Sequence, residues 1–291
     1  MLQKLRYIKR VIKIILDDLA YYKLFTKNYD NEQEVIFSYL RTNVHILDKG
    51  LHIVPFEKGH GKAVYQKCKA LQNKITNRYI LNDKAYKWTA DVIENYENAQ
   101  QTGFVFRDTN LTHSFTNEEK KQFYHIIKSR ISCRSFTNEV IDDDIWNEIV
   151  EIASDAPSGC CRQTVRYYIE NRQEKISLLT KNIAGATGFS GNIPYLICIT
   201  ADVRAYGIED RFLPYIDASL SVENFLLACT VNNISCVCLN MQHASLTEQS
   251  KVKNILDIPK YEKIVIFIAA GKPNVLPQKP IRINIKQIRK K

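Results

Sequence analysis

Ser129-Arg130-Ile131-Ser132-Cys133-Arg134-Ser135-Phe136 is the most informative stretch of this 291-residue chain. If it runs extended, side chains two apart share a face, so Arg130, Ser132 and Arg134 point one way while Ile131 and Cys133 point into the protein. Two guanidiniums flanking a hydroxyl suit a phosphate ester, because arginine offers bidentate charge-assisted hydrogen bonds and serine adds a neutral donor. An Arg-x-Ser-x-Arg string also occurs on ordinary surface strands, so its meaning depends on what surrounds it.

Downstream, helices and strands follow one another. Asp142-Asp143-Asp144 places negative charge at a helix start, where the dipole favours it. Ile145, Ile149 and Ile152 then predict the buried stripe of a helix running to Ala156. A Pro157-Ser158-Gly159 turn follows, able to expose backbone N–H groups to a ligand or simply to reverse the chain. Four apolar, β-branched or aromatic runs read as strands: Val165 to Glu170, Tyr195 to Ala201, Ile234 to Leu239 and Ile264 to Ala270. Between the second and third, Asp217 to Asn232 is apolar on most sides and predicts a buried central helix. This alternation gives an α+β or three-layer sandwich domain. The tail Ile281 to Ile288 alternates as an extended arm would.

Upstream, residues 1 to 101 are mostly of helical periodicity and contain one proline, Pro55. Gln101 to Thr116 mixes Gly, Asp, Thr, Asn and Ser as a connector does, and Thr116-Asn-Glu-Glu opens a short helix with an N-cap. The boundary is placed near residue 112, dividing an α-helical N-terminal extension (1–112) from the second domain (113–291). Residues 1–25 form a basic amphipathic helix that packs on its own protein or lies peripherally on an anionic membrane. No signal-peptide pattern accompanies it, so a cytoplasmic protein is expected.

Composition excludes several classes. With 45% hydrophobic and 25% charged residues, a packed core is expected. The net charge of +10 is dispersed and carries no nucleic-acid motif, so a solvated basic surface is expected and no nucleic-acid partner. The eight cysteines do not show zinc-site spacing. Cys198, Cys236 and Cys238 sit in strand-like runs as small hydrophobes, and no metal is expected.

Taken in order, Arg130-x-Ser-x-Arg134, a helix, Ala156-Pro157-Ser158-Gly159 with Gln163, the strand at Tyr195, Asp217 with its buried helix, Cys236 to Asn240, and Ile266 to Gly271 with Arg282 resemble the nitroreductase family. The resemblance implies a three-layer sandwich with a central, mostly antiparallel sheet, FMN as cofactor and NADH or NADPH as electron donor. It implies that Arg130 and Ser132 hold the FMN phosphate, that Arg134 lies by the pyrimidine edge, and that Arg282 completes the phosphate site. Pro157, Ser158, Gly159 and Gln163 match the loop along the ribityl chain and ring. Leu239, Asn240 and Met241 become the candidates for a backbone N–H to flavin N5. Family members are usually homodimers with FMN at the interface, which the C-terminal arm could help to form.

Arg211-Phe-Leu-Pro-Tyr-Ile-Asp217 and Asn224 to Ala228 resemble a subgroup found beside surface-polysaccharide biosynthesis proteins. Its N-terminal extension carries a string seen here as His45-Ile-Leu-Asp48-Lys49-Gly50-Leu51, followed by Gly59-His60-Gly61. His45 is therefore the histidine placed to cover the flavin, and His243, after the N5 loop, could reach a substrate. Neither is assigned as an acid or base. Cys161 stands where the family commonly has Asn, and Thr164-Val165 where it has a pair such as Pro-Trp. These departures point away from ordinary quinone or nitroaromatic reduction.

Overall fold

A computed structural model describes residues 2–25, 29, 31–107, 114–241 and 246–290. The N-terminal region is helical: α1 (Leu2–Tyr22), α2 (Gln33–Leu51), α3 (Lys62–Gln72), the single turn α4 (Arg78–Leu81) and α5 (Lys84–Thr102). Ile36, Leu40, Val44, Leu47 and Leu51 repeat at three and four residues along α2 and pack with Cys68 of α3 and with Val92, Ile93 and Tyr96 of α5. Gly103 then adopts a φ of 79°, the left-handed residue that closes a helix end. The expected boundary near 112 lies outside the described residues, as does His113.

α1 is helical as its spacing predicts, but its stripe is left uncovered, with Leu5, Ile8, Ile12, Ile15 and Leu19 all about half exposed. Burial begins with Tyr21 and Phe25, which pack with Val203, Ala205 and Tyr206. No helix among the described residues is long and apolar enough to cross a membrane.

The second region is an α+β, three-layer sandwich. It contains α6 (Asn117–Ser129), α7 (Asp143–Ser154), β1 (Val165–Glu170), α8 (Gln173–Thr180), β2 (Tyr195–Asp202), α9 (Leu213–Val231), β3 (Ser235–Leu239), α10 (Leu246–Ile255), β4 (Glu262–Gly271) and α11 (Ile285–Ile288). α6 opens with a full capping box: the Glu119 N–H donates to Thr116 Oγ1, and the Thr116 N–H donates to the Glu119 carboxylate at 2.7 Å. The sheet order is β1-β2-β4-β3, antiparallel throughout. Ser132 adds one parallel bridge to Cys236 on the outer side of β3, which makes the whole mostly antiparallel.

β2 explains the three layers. All of its residues are buried, and alternate side chains must serve opposite faces. Tyr195, Ile197 and Ile199 pack with Ile149 of α7 and Phe225 of α9, whereas Leu196 and Cys198 pack with Ile176 and Leu179 of α8 and Val252 of α10.

Three local expectations are corrected. The inward stripe of α7 is Trp146, Ile149 and Ala153, and Ile152 is 47% exposed. Both sets step by three and four about Ile149, so spacing alone leaves open to which side of Ile149 the buried face turns, and the bulky Trp146 ring is what the core takes. α9 starts at Leu213 rather than Asp217, with Pro214 in the first turn, where a missing N–H costs nothing. The tail is not extended throughout: Asn284 caps α11 by accepting the Lys286 N–H at 2.9 Å, and Ile281 to Ile288 is exposed. Of the strand cysteines, Cys198 and Cys236 are buried, while Cys238 is exposed.

Candidate functional site

The segment after α6 is tied to the sheet along its length. Ser132 bridges Cys236, the Cys133 N–H donates to the Cys236 carbonyl at 3.2 Å, and the Thr137 N–H donates to the Lys272 carbonyl at 2.9 Å. Cys133 and Phe136 are buried and Ile131 is half-buried, so the opposite face carries Arg130, Ser132 and Arg134. None of these three side chains has a hydrogen bond or ion pair among the described residues, and neither has exposed Arg282. A donor set of guanidinium and hydroxyl with no protein acceptor fits the phosphate of FMN. Leu239 and Met241 are buried and Asn240 is exposed. Gly185 presses on this turn so closely that a Cβ there would lie 3.2 Å from the Asn240 nitrogen and the Leu239 Cα. His243 lies outside the described residues.

The loop Pro157 to Gln163 is built differently. Cys160, Cys161 and Gln163 all have φ between 51° and 55°, a left-handed conformation that side chains rarely adopt and that only firm surroundings sustain. Asp217, 2% exposed, accepts the Gly159 N–H at 2.9 Å and the Tyr206 hydroxyl at 2.8 Å. Ser158 Oγ accepts the Gln163 N–H at 3.1 Å. Within the loop Arg162 Nη1 donates to the Gly159 carbonyl at 3.0 Å, and further supports come from α2. Arg41 Nε donates to the Cys161 carbonyl at 2.8 Å, Ser38 Oγ donates to the Arg162 carbonyl at 3.4 Å, and His45 Nδ1 stands 3.5 Å from Cys161 Sγ. Burial pushes the Cys161 thiol above its ordinary pKa, opposed in part by the Arg41 charge. The α2 contacts thus engage the polar groups of the loop that face them, and Gln163 and Pro157 remain exposed.

The extension is clamped again at Arg204, 4% exposed, which pairs with Asp202 at 2.6 Å, with Glu34 at 2.8 Å and with Glu32, over the Tyr261 ring at 3.5 Å. The sequence offered one signal for the α2 contacts: Ser38, Arg41 and His45 recur at three and four residues, so they share a face. The roles of the Asp217 carboxylate and of Arg204 had no such signal, since each depends on a loop folding back.

One chain does not bring the two halves of the predicted site together. The Ser132 segment lies outside β3 at one edge of the sheet, and the loop leads into β1 at the other. Four strand spacings separate them, about 19 Å. The same gap appears along α9, where Asp217 meets the loop at one end and Asn232, near the other, accepts a hydrogen bond from Lys272 at 3.0 Å.

Comparison with known proteins agrees with this fold. A curated iodotyrosine deiodinase from Hydra vulgaris is 27% identical over 194 residues, covering 56% of this chain and 69% of its own. A nitroreductase-like protein of Streptococcus mutans superposes with a TM-score of 0.51 at 18% identity, covering 59% of this chain and 98% of its own. A Desulfovibrio desulfuricans protein solved in complex with FMN gives a TM-score of 0.50 at 21% identity, over 58% and 95% of the two chains. The model of the Nitroreductase family matches residues 127–188 and 181–272, half of the chain. The chain belongs to the nitroreductase family.

Proposed function

We propose that the protein is an FMN-dependent oxidoreductase that passes hydride between NADH or NADPH and a second, small-molecule substrate. The observation that carries this reading is the alignment of Arg130, Ser132 and Arg134 on one face beside β3, unspent on partners among the described residues, in a chain of this family. FMN, when bound, supplies the ring that accepts and returns hydride. In this reading Arg130, Ser132 and Arg282 bind its phosphate and Arg134 lies by the pyrimidine edge, where a positive charge tunes the cofactor. Pro157, Ser158, Gly159, Cys161 and Gln163 form a stiff wall along the ring, and a backbone N–H among Leu239, Asn240 and Met241 faces N5.

The separation of clamp and wall supports a homodimer in which each flavin lies against the loop of the second copy. The subgroup resemblance supports a place in polysaccharide or cell-envelope biosynthesis, and the bare stripe of α1 supports peripheral contact between residues 1–25 and an anionic membrane at its cytoplasmic face. A narrower flavin reaction, such as dehydrogenation of a biosynthetic intermediate or flavin breakdown, is favoured over broad quinone reduction by one observation: α2 stands on the ring-side loop with His45 against Cys161.

The visible spectrum of the purified protein tests the reading. Absorption in the blue that bleaches on anaerobic addition of NADH or NADPH is expected, and Arg130→Ala and Arg282→Ala each weaken FMN binding. A protein that stays colourless when incubated with FMN would instead be a non-catalytic binding protein retaining the fold.

A further inference from the structure

α2, α4 and the strand entry Arg162 to Arg166 enclose a cleft of about 320 Å³, within the size range of small-molecule sites. Three arginines line it. Arg162 is committed to Asp210 at 2.8 Å, but Arg41 and Arg166 have no ion pair among the described residues. Arg41 is 7% exposed and spends only Nε, on the Cys161 carbonyl, which leaves both of its Nη groups without a hydrogen bond among the described residues. Arg166 gives Nη1 to the carbonyls of Gln163 and Val165 at 3.1 and 2.9 Å, leaving Nε and Nη2.

None of the carboxylates of the cleft forms an ion pair with Arg41 or Arg166 among the described residues, although the Asp83 charge acts on Arg41 from a distance. Glu34 and Asp202 are bound to Arg204, and Asp83 accepts the Ala85 N–H at 2.8 Å as the cap of α5. Burial depresses the Arg41 pKa, and the nearby Arg166 charge depresses it further, against Cys161 and Asp83. The Arg41 Nη groups are not sealed off among the buried unpaired atoms, so they open on the cleft, where an anion can reach a guanidinium whose stem is already held. Phe37, whose ring lies 5.7 Å from the Arg41 guanidinium, and exposed Tyr79 add aromatic surface beside the charges.

We propose that this cleft binds the oxyanion end, carboxylate or phosphate, of a small organic molecule, with Arg41 and Arg166 as its partners and Phe37 and Tyr79 flanking its body. The site is separate from the Arg130 clamp. Gln163 belongs both to the cleft wall and to the ring-side loop, so a ligand seated here would lie beside that loop.

Calorimetric titration of the full chain with benzoate, phenyl phosphate and neutral benzamide, with and without saturating FMN, tests this. Saturable binding of one or both anions and none of benzamide is expected, and the stronger of the two anions identifies the headgroup. Arg166→Gln should weaken that binding about tenfold, the worth of a charge-assisted hydrogen bond. Arg41→Gln should weaken it further, with circular dichroism reporting whether the loop it supports remains folded; if not, Arg166→Gln alone decides. Equal binding of benzamide, no saturable anion binding, or indifference to Arg166→Gln would overturn the proposal. A phosphate signal abolished by FMN would assign that signal to the flavin clamp, and with no benzoate binding beside it would overturn the proposal too. Failure of FMN to bind, with the benzoate titration intact, would count against the flavin reading alone.

Discussion

His45 Nδ1 lies 3.5 Å from Cys161 Sγ, so a helix of the N-terminal region touches the residue that replaces the family's usual Asn. Burial holds that thiol above its ordinary pKa, which lowers its thiolate fraction at neutral pH. Cys161 should therefore be alkylated by iodoacetamide at pH 8 more slowly than a free cysteine, as read by mass spectrometry of the labelled peptide. Faster labelling than free cysteine would contradict the packing described.

Asp217→Ala should destabilise the fold by about 2 to 4 kcal/mol, because the Gly159 N–H and the Tyr206 hydroxyl lose their acceptor in a buried place. Asp217→Asn keeps one acceptor and should cost less. Urea unfolding of the two variants gives the comparison, and equal midpoints would show that the loop finds other partners.

Gly271 ends β4 where the Ser129 to Phe136 segment crosses. A Cβ there would stand 2.4 Å from Pro194 Cγ and 3.2 Å from Phe136 Cβ, and a proline ring cannot swing aside. Gly271→Ala should lower stability by about 1 to 3 kcal/mol through overpacking. It should also weaken FMN binding by shifting Arg130 and Ser132, a pairing of effects that fluorescence titration with FMN would reveal.

Lys253 is lowered by burial and by the neighbouring Lys263 to a pKa of about 8, with Glu262 and Cys198 pulling the other way. The folded chain favours the neutral amine, whereas the unfolded chain keeps the proton up to its ordinary 10.5. Between those values the unfolded state holds more protons, so this group's contribution to stability rises with pH and is lost as pH falls toward 8. Urea midpoints at pH 8 and 9.5 should climb more in the wild type than in Lys253→Met.

Periodicity made much of this legible. The strands were readable because β-branched runs ended at turn residues, and the α6 cap because Thr116 and Glu119 carry its chemistry locally. α9 was readable as buried because it has no polar face, but its start was not, since Pro214 in a first turn resembles a break. The Arg130 segment could be read as a face of three donors from alternation alone. What alternation could not reveal was distance: nothing in the spacing of Ser132 and Ser158 says that four strand spacings lie between their neighbourhoods. The contacts of Arg204 and Asp217 were hidden for a related reason, since each joins segments whose adjacency exists only after folding.

Those four strand spacings have a consequence for inheritance and dosage. In the proposed pairing, a copy with a damaged clamp and a copy with a damaged loop are each inactive alone. Mixed, they form some dimers in which one site collects both lesions and the other collects none. With random assortment half of the dimers are mixed, so roughly a quarter of all sites would be whole. Two dead alleles would then complement each other inside one cell.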